Sequence, residues 1–162
     1  MNIEKIKSYA ELIVKVGANV QQGQDVVISA GLDQPEFVKL VVEECYKAGA
    51  SWVRVDWSYQ PLQKLHYRYR TNTTLGKVED YELARWKHYA DKLPCRIYLL
   101  SEDPDGLKGI NQEKMAKSQQ KRFPIIKPYR DAIENKYQWC IAAVPGKESL
   151  YNIVSKVWLH FN

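Results

Sequence analysis

The sequence predicts an α/β fold, in which a mainly parallel sheet of at least four strands lies between helices in a three-layer domain. Three observations lead to this prediction. Four short apolar segments alternate along the chain with stretches whose apolar residues recur every three or four positions. The apolar segments lack strict polar–apolar alternation, as expected for strands buried on both faces. Their separation by helical stretches favours βαβ units over hairpins.

The first helix and strand are predicted near the amino terminus. Apolar side chains recur there at helical spacing: Ile3, Ile6, Ala10, Ile13 and Val16. Gly17 is the expected stop, because glycine favours the backbone conformation that ends helices. A turn then leads into a short apolar strand over 26–30.

A second helix and strand follow directly. Asp33 and Glu36 resemble a capping box in which Asp replaces Ser or Thr, so the helix is expected to begin there. Its apolar stripe consists of Phe37, Leu40, Val41, Cys45 and Ala48. Gly49 is expected to close the helix, and "SWVRVDW" to form the second strand.

The middle of the chain contains two more helical stretches and the third strand. "QPLQKLHYRYR" carries one apolar face, formed by Leu62, Leu65, His66 and Tyr69. "VEDYELARWKHYADKL" carries another, formed by Leu83, Trp86, Ala90 and Leu93. "CRIYLLS" is the predicted third strand, and the following "EDPDGLKG" is a loop rich in turn residues.

The last part of the chain supplies a helix, the fourth strand and an apolar tail. The helix begins near Asn111 and is expected to be interrupted around Pro124 and Pro128, because proline lacks the amide donor. "YQWCIAAV" is the predicted fourth strand. Apolar residues then recur at helical spacing: Leu150, Ile153, Val154, Val157, Trp158 and Phe161. We therefore expect an α/β domain over 1–146 and an amphipathic helix over 147–162, which packs on the sheet or docks outside it.

Composition places the chain among ordinary globular proteins of a reducing compartment. Its 162 residues, 45% hydrophobic and 27% charged, suit one domain without a disulfide or metal staple. No signal peptide and no apolar run of about 20 residues is present, so we expect a cytoplasmic protein with no membrane partner. Cys45, Cys95 and Cys140 lie far apart in apolar contexts and are expected to be reduced core thiols.

Candidate site residues follow the predicted strands, because ligands bind beyond the carboxyl ends of strands in open α/β sheets. Asp56 and Trp57 end the second strand and could face a small ligand; a capped strand end with a packed indole is the alternative. Glu102, Asp103 and Asp105 follow the third strand. Their carboxylates could hold Mg²⁺ or Ca²⁺, but they lack the spacing of a calcium loop, and a solvated turn is the competing interpretation.

Other chemistries lack a motif in this sequence. "SAGLDQPE" has one glycine and no phosphate cradle, and Asp33 would repel an anion at the next helix. The three histidines, His66, His88 and His160, have no zinc-binding spacing, and no nucleophile elbow is present. "KLHYRYR" mixes basic and aromatic residues, as single-stranded nucleic-acid binders do, but a solvated helix with Leu65 and Tyr69 inward is the preferred interpretation. Nucleic acid is therefore the weakest partner hypothesis.

Several segments together resemble one family. "SYAELIVKVGANVQQGQDVVISA", "EFVKLVVEECYKAGASWVRVDWSY" and "LHYRY" are similar to the opening of the thermophilic metallo-aminopeptidases, the group of aminopeptidases T, S and II. The similarity resumes in "SEDPDGLKGINQEKMAKSQQ" and "IKPYRDAIENKYQWCIAAVPGKE". It covers nearly all of residues 5–148 in the right order, and it is more specific than any single motif.

The resemblance implies an exopeptidase that removes N-terminal amino acids with two divalent metals, Zn, Co or Mg. Members of the family consist of an α/β N-terminal domain and a longer C-terminal domain that carries Glu, His, Tyr and Asp metal ligands. They form dimers whose active sites face an internal cavity. The metals would polarise the scissile carbonyl and lower the pKa of a bound water, with a carboxylate as general base.

This chain is expected to lack that second domain, so no position matches a metal ligand and no catalytic residue is assigned. After "VPGKE", "SLYNIVSKVWLHFN" resembles a helix of the family that is reached early. The leading hypothesis is an N-terminal domain that shapes the substrate cavity, supports a dimer, holds no cofactor and is inactive alone. Peptide would be its substrate only together with the missing domain. The alternative is a stand-alone interaction module that associates through its tail helix.

Overall fold

The computed structural model, which describes residues 3–144, contains a four-stranded sheet and confirms the predicted α/β class. The strands are β1 (Asp25–Gly31), β2 (Trp52–Ser58), β3 (Cys95–Leu100) and β4 (Trp139–Ala143), and they lie in the order β2-β1-β3-β4. β1 pairs with β2 in parallel, and so does β3 with β4. Each strand coincides with one of the apolar segments that predicted it.

The helices connect these strands. They are α1 (Ile3–Leu12), a π-helical turn (Ile13–Gly17), α2 (Pro35–Lys47), α3 (Gln60–Tyr69), α4 (Asn72–Gly76), α5 (Asp80–Lys92) and α6 (Gln112–Ile133). The short helix α4, which begins with a hydrogen bond from the Thr74 amide to the Thr71 hydroxyl, was not expected from the sequence. The predicted tail helix over 147–162 lies outside the described residues.

The chain forms two compact units. The described parts of 1–58, 96–101 and 139–162 form the sheet unit, which contains the strands, α1, the π-helical turn and α2. The remaining residues, 59–95 and 102–138, form the crossover unit. This second unit therefore consists of the two long connections, one from β2 to β3 and the other from β3 to β4.

One face of the sheet is covered by helices of the sheet unit. The helix α2 packs against β1 and β2, and the π-helical turn packs against β4. The core beneath them is almost fully buried and consists of Val14, Val26, Ile28, Val38, Val41, Cys45 and Ile97. Each such aliphatic side chain stabilises the fold by about 1.5–3 kcal/mol when it is removed from water.

The π-helical turn changes which side chains of the first helix are buried. The predicted stripe ran from Ile3 to Val16, but both of these residues are exposed, whereas Ile13 and its neighbour Val14 are buried. The amide of Ala18 donates to the carbonyl of Ile13 at 2.7 Å, the wider spacing of a π-helix. The wider turn shifts the buried side of the helix by one residue. A prediction from the α-helical period of 3.6 residues does not include this shift.

The predicted capping box at the start of α2 is wrong. Gln34 is the N-cap and makes no side-chain cap hydrogen bond, and Pro35 occupies the first turn. The carboxylate of Asp33 accepts instead from the Ser101 hydroxyl at 2.6 Å. Asp33 thus ties the loop after β1 to the residue after β3. The first turn of α2 has less need of a cap, because Pro35 has no backbone N–H that a cap would have to satisfy.

The end of α2 agrees with the sequence, because Gly49 adopts a left-handed conformation with φ of +93°. The amide of Gly49 donates to the Tyr46 carbonyl and that of Ala50 to the Cys45 carbonyl, both at 3.0 Å. A Cβ at this position would lie 3.1 Å from Cγ of Gln22. Both the backbone conformation and the close neighbour therefore favour glycine.

We expect Gly49→Ala to lower the free energy of unfolding by about 1–2 kcal/mol, since an L side chain is strained at this φ. Gly23→Ala is the matched control, because Gly23 has φ of +77° but no atom within 4 Å of an added Cβ. Its loss should be smaller, about 1 kcal/mol, because only backbone strain is added. Urea denaturation measures both variants. Equal losses would show that the contact with Gln22 contributes nothing.

The helix α3 is oriented opposite to its prediction. Leu65 and Tyr69 were expected to point inward, but both are exposed, Tyr69 to 76%. The partly buried residues lie on the other side of the helix and are Gln60, Gln63, Lys64 and Tyr67. The apolar stripe exists, as the spacing predicts, but the described residues do not cover it. On α5 the predicted face is partly buried as expected, but the most buried residue of the helix is Tyr89, which that face did not include.

The helix α6 continues through Pro124 and Pro128, so the predicted interruption is wrong. Each proline removes one backbone hydrogen bond, to the carbonyl four residues earlier. Both prolines are exposed, so these carbonyls lie on the side of the helix that water reaches. Solvation of the freed acceptors, together with a proline φ that suits a helix, lets the helix continue.

A polar cluster ties α6 to the start of α5 within the crossover unit. The Arg122 guanidinium pairs with the Glu82 carboxylate and also donates to the Lys77 carbonyl. Glu82 in turn accepts from the Glu79 amide at 3.0 Å, and with Glu79 it forms a capping box at the start of α5. One arginine therefore orients a helix cap and fastens the long helix to it.

Candidate functional site

The topological switch point of the sheet lies between β1 and β3, because the chain leaves β1 towards β2 and leaves β3 towards β4. Asp33 and Ser101 meet at this position and are joined by the hydrogen bond described above. A Cβ on Gly31 would lie 2.5 Å from Oδ1 of Asp33 and 2.7 Å from Oγ of Ser101. This edge of the sheet therefore needs glycine at 31, and it presents a hydroxyl–carboxylate pair in place of a phosphate cradle.

The two predicted site residues of β2 point to opposite faces, as successive strand residues do. The Asp56 carboxylate accepts from Nε of Arg54 at 2.8 Å, and both side chains are partly buried. The Trp57 indole is 44% exposed at the strand end. The structure thus separates the two residues: Asp56 has a partner on its own strand, and Trp57 faces solvent.

The other three predicted residues, Glu102, Asp103 and Asp105, lie together in the loop after β3, in the crossover unit. Oδ1 of Asp103 accepts from the Asp105 amide at 2.9 Å. The Gln60 side-chain amide donates to the Asp103 carbonyl at 2.9 Å, and its oxygen accepts from the Asp103 amide at 3.2 Å. The carboxylate of Asp103 therefore helps to build the loop.

Metal-ligating side chains do not converge within residues 3–144. No group of three His, Cys, Asp or Glu side chains there could hold a metal ion. His66 lies on α3 and His88 on α5, whereas His160 falls outside the described residues. The described residues thus do not fit the two-metal site that the family resemblance implies, and no catalytic step through a metal is derived from them.

The cysteines also offer no reactive group in the described part. All three are free thiols, and Cys45 and Cys95 are fully buried, as expected for core thiols. Burial raises the pKa of the Cys140 thiol, which keeps it protonated at neutral pH and weak as a nucleophile or metal ligand. Cys140 instead packs against the π-helical turn, where a Cβ on Gly17 would lie 2.6 Å from its sulfur.

A polar hollow of about 310 Å³ lies where α4 and α6 begin. It is lined by Thr71, Asn72, Asn111, Glu113, Lys114 and Lys117. These groups are largely engaged with one another: the Asn111 side chain accepts from the Lys114 amide at 2.9 Å, and Lys117 pairs with Glu113 at 2.6 Å. The hollow is therefore a surface feature of two helix caps and does not define a ligand site.

Comparison with known proteins identifies the family. The sequence profile of the family described as thermophilic metalloprotease (M29) matches residues 2–155, so this chain belongs to that family. Aminopeptidase PepS of Streptococcus thermophilus is 32% identical over 146 residues, which are 90% of this chain and 35% of that protein. Aminopeptidase AmpS of Bacillus subtilis (strain 168) is 33% identical over 139 residues, 85% of this chain and 34% of that protein.

A solved structure supports the same conclusion. Wild-type AmpT from Thermus thermophilus matches with a TM-score of 0.77 and 26% identity, over 88% of this chain and 36% of that chain. The chain thus spans about a third of the length of the relatives it matches, and the resemblance found in the sequence is confirmed. Among the described residues, no helix has the length and apolar character needed to cross a membrane.

Proposed function

We propose that this chain is the N-terminal part of a metal-dependent aminopeptidase that releases N-terminal amino acids from peptides, and that it has no peptidase activity alone. The observation that carries the proposal is the uneven coverage: 90% of this chain matches only 35% of Aminopeptidase PepS. Within residues 3–144 no three side chains converge as metal ligands. Two divalent metals, Zn, Co or Mg, would then be held by the part of the enzyme that this chain does not match.

The proposed role of this part is to shape the substrate cavity and to support a dimer. The exposed apolar stripe of α3, formed by Leu62, Leu65 and Tyr69, supports this role. An amphipathic helix normally buries its apolar stripe, and exposed large apolar side chains on one helix face suit an interface. We assign this stripe to contact with the rest of the enzyme or with a second subunit.

The remaining parts of the proposal concern location, organisation and ligand contact. Three free thiols suit a reducing compartment, so we place the protein in the cytoplasm. The α/β part covers 1–146, and 147–162 is a separate helical segment. Of the predicted site residues, Trp57 is the best placed to contact a peptide, because its indole is exposed whereas Asp56 and Asp103 bind neighbouring groups.

Peptidase assays test the proposal directly. The purified chain is incubated at high concentration with Zn²⁺, Co²⁺ or Mg²⁺ and an aminoacyl chromogenic substrate, and full-length AmpS serves as the active control. We expect no release above that of metal alone, and no stoichiometric metal binding by calorimetry. Circular dichroism establishes that the chain is folded. Release that scales with the chain and disappears with a chelator would overturn the proposal.

A further inference from the structure

We propose that two copies of this chain associate through β4 (Trp139–Ala143), whose strands pair antiparallel about a two-fold axis at Cys140. The surface lies within the sheet unit. The inference rests on the proposed support of a dimer and deepens it by naming the surface, the partner and the register. Three features carry it: the open backbone groups of β4, the different construction of the other edge strand, and the complementarity of β4 to itself.

β4 forms an edge of the sheet in the part of the chain that the structure describes, because it is last in the order β2-β1-β3-β4. The Val144 amide donates to the Leu100 carbonyl at 2.8 Å, so residue 144 directs its backbone groups to β3. Successive residues of a strand direct theirs to opposite sides. The backbone N–H and C=O groups of Trp139 and Ile141 therefore point away from β3, to the side where a further strand would lie.

Tyr9 marks the end of this open side. Its hydroxyl donates to the Ala143 carbonyl at 3.0 Å, and this carbonyl also points away from β3. The phenol of Tyr9 thus occupies the position that a further strand would take beside Ala143. The part of the edge that can receive another strand therefore consists of Trp139 and Ile141, with Cys140 between them.

The other edge strand, β2, carries protection that β4 lacks. Charged side chains commonly keep edge strands from pairing with other chains. β2 contains the ion pair of Arg54 with Asp56, at 2.8 Å, and its Val53 amide donates to the Tyr46 hydroxyl at 3.3 Å. β4 has the sequence WCIAA and contains no charged residue. An uncharged apolar edge of this kind is a template for another strand.

A second copy of β4 complements this edge. With the two-fold axis at Cys140, Trp139 of each copy lies opposite Ile141 of the other, and the two residues exchange both of their backbone hydrogen bonds. Their side chains share one face of the strand and are 57% and 55% exposed. Opposed in this way they form aromatic–β-branched pairs, which stabilise antiparallel strands. Because β4 carries no charge, its symmetric pairing opposes no like charges.

The two-fold arrangement also limits the assembly to two copies. Since β2 is protected, each copy offers one open strand edge within residues 3–144. A two-fold axis uses the same surface of both copies at once and leaves none for a third. A second copy is therefore the occupant that this edge fits, and the expected assembly is a dimer.

Sedimentation equilibrium of the full chain over a range of protein concentrations tests the proposal. We expect a monomer–dimer equilibrium, and Ile141→Lys should raise the dissociation constant about tenfold or more, because it places a lysine opposite Trp139 and a second lysine across the axis. Leu32→Lys is the matched control, since Leu32 is 49% exposed in the same unit but lies outside the strands. Its dissociation constant should equal that of the wild type.

Amide hydrogen exchange of the wild type identifies the edge itself. In the proposed pair the Ile141 amide donates to the Trp139 carbonyl of the other copy, so its exchange should slow as the protein concentration rises through the dissociation constant. Contact through the sheet face would leave that exchange unchanged. This measurement decides the question alone if Ile141→Lys fails to fold.

Three results would overturn the proposal: a chain that is monomeric at all concentrations, a dimer that Ile141→Lys weakens no more than Leu32→Lys does, or an Ile141 amide whose exchange is independent of dimerisation. The peptidase assay described above does not require association. The assignment to an aminopeptidase and the proposed dimer surface can therefore fail separately.

Discussion

Replacing Ile28 with Ala is expected to lower the free energy of unfolding by about 3–4 kcal/mol, the largest effect we predict for a single substitution. Ile28 is 0% exposed in the middle of β1. β1 is an interior strand, paired with β2 on one edge and with β3 on the other. Because both edges are fixed, the neighbouring side chains can relax little into the space left by three missing carbons, and a cavity remains.

Leu32→Ala is the control for this substitution. Leu32 follows β1, is 49% exposed, and loses the same number of carbons. We expect its effect to stay within about 0.5 kcal/mol, as for most surface changes. Urea denaturation of both variants gives the comparison, with an unchanged slope indicating the same two-state transition. If Ile28→Ala were no more destabilising than Leu32→Ala, the assignment of β1 to the centre of the core would be wrong.

Arg122→Ala is expected to lower the free energy of unfolding by about 2 kcal/mol. The side chains of Arg122 and Glu82 are only 27% and 17% exposed. Removal of the guanidinium leaves the Glu82 carboxylate without its charged partner and the Lys77 carbonyl without its donor. Breaking a fully buried pair costs about 3–5 kcal/mol, and partial solvent access reduces that figure.

The effect of Arg122→Ala should depend on pH. The pKa of the Glu82 carboxyl lies below its usual range. Burial alone would raise it, but hydrogen bonds from Arg122 and from the Glu79 amide, together with the charge of Arg122, outweigh that effect. A lowered folded-state pKa stabilises the fold above the unfolded pKa of about 4.3, and this stabilisation is lost as pH falls through the folded value. The difference between Arg122→Ala and the wild type should therefore be full at pH 7 and shrink below about pH 4.

Lys117→Ala provides the control on the same helix. Lys117 pairs with Glu113 one turn away, and both side chains are mostly exposed. Exposed pairs of this kind contribute about 0.3–0.5 kcal/mol. Denaturant unfolding of the two variants at pH 7 and pH 3 makes the test. An Arg122→Ala loss as small as that of Lys117→Ala, or one that is constant with pH, would contradict the role of Arg122 in the cap of α5.

The strands could be predicted from sequence because each needs only a local signal. A short apolar run such as that of β1, bounded by turn residues, is enough to identify a buried strand. The helix end at Gly49 was equally local, since its left-handed conformation depends on glycine itself. The order of the strands depends on pairing between distant segments, and the sequence contains no comparable signal for it.

The wrong predictions have a common physical cause: a pattern shows what a segment could do but not which partner it meets. Asp33 could cap α2, yet a serine 68 positions away takes its carboxylate. The stripe of Leu65 and Tyr69 predicts a helix correctly but says nothing about what covers it. Pro124 removes one backbone hydrogen bond from a helix wherever it occurs, but whether the freed carbonyl reaches water depends on the fold.

The candidate site was predictable only in part. The rule that polar residues at the carboxyl ends of strands form sites identified Asp56 and Asp103, but nearby groups, Arg54 and the Asp105 amide, bind their carboxylates. The same rule could have found Ser101, which directly follows β3 and was passed over for the acidic residues behind it. Its pairing with Asp33 needed the parallel alignment of β1 and β3 at the switch point.

The position of β1 between β2 and β3 also matters while the chain is being synthesised. β1 and β2 are joined by the single helix α2 and can pair early, but the other edge of β1 stays open until Cys95–Leu100 has been made. At about 5–20 residues per second, roughly 40 residues take several seconds on the ribosome. During that interval an apolar strand edge is available to other nascent chains, so protection from aggregation is needed most after β2 and before β3.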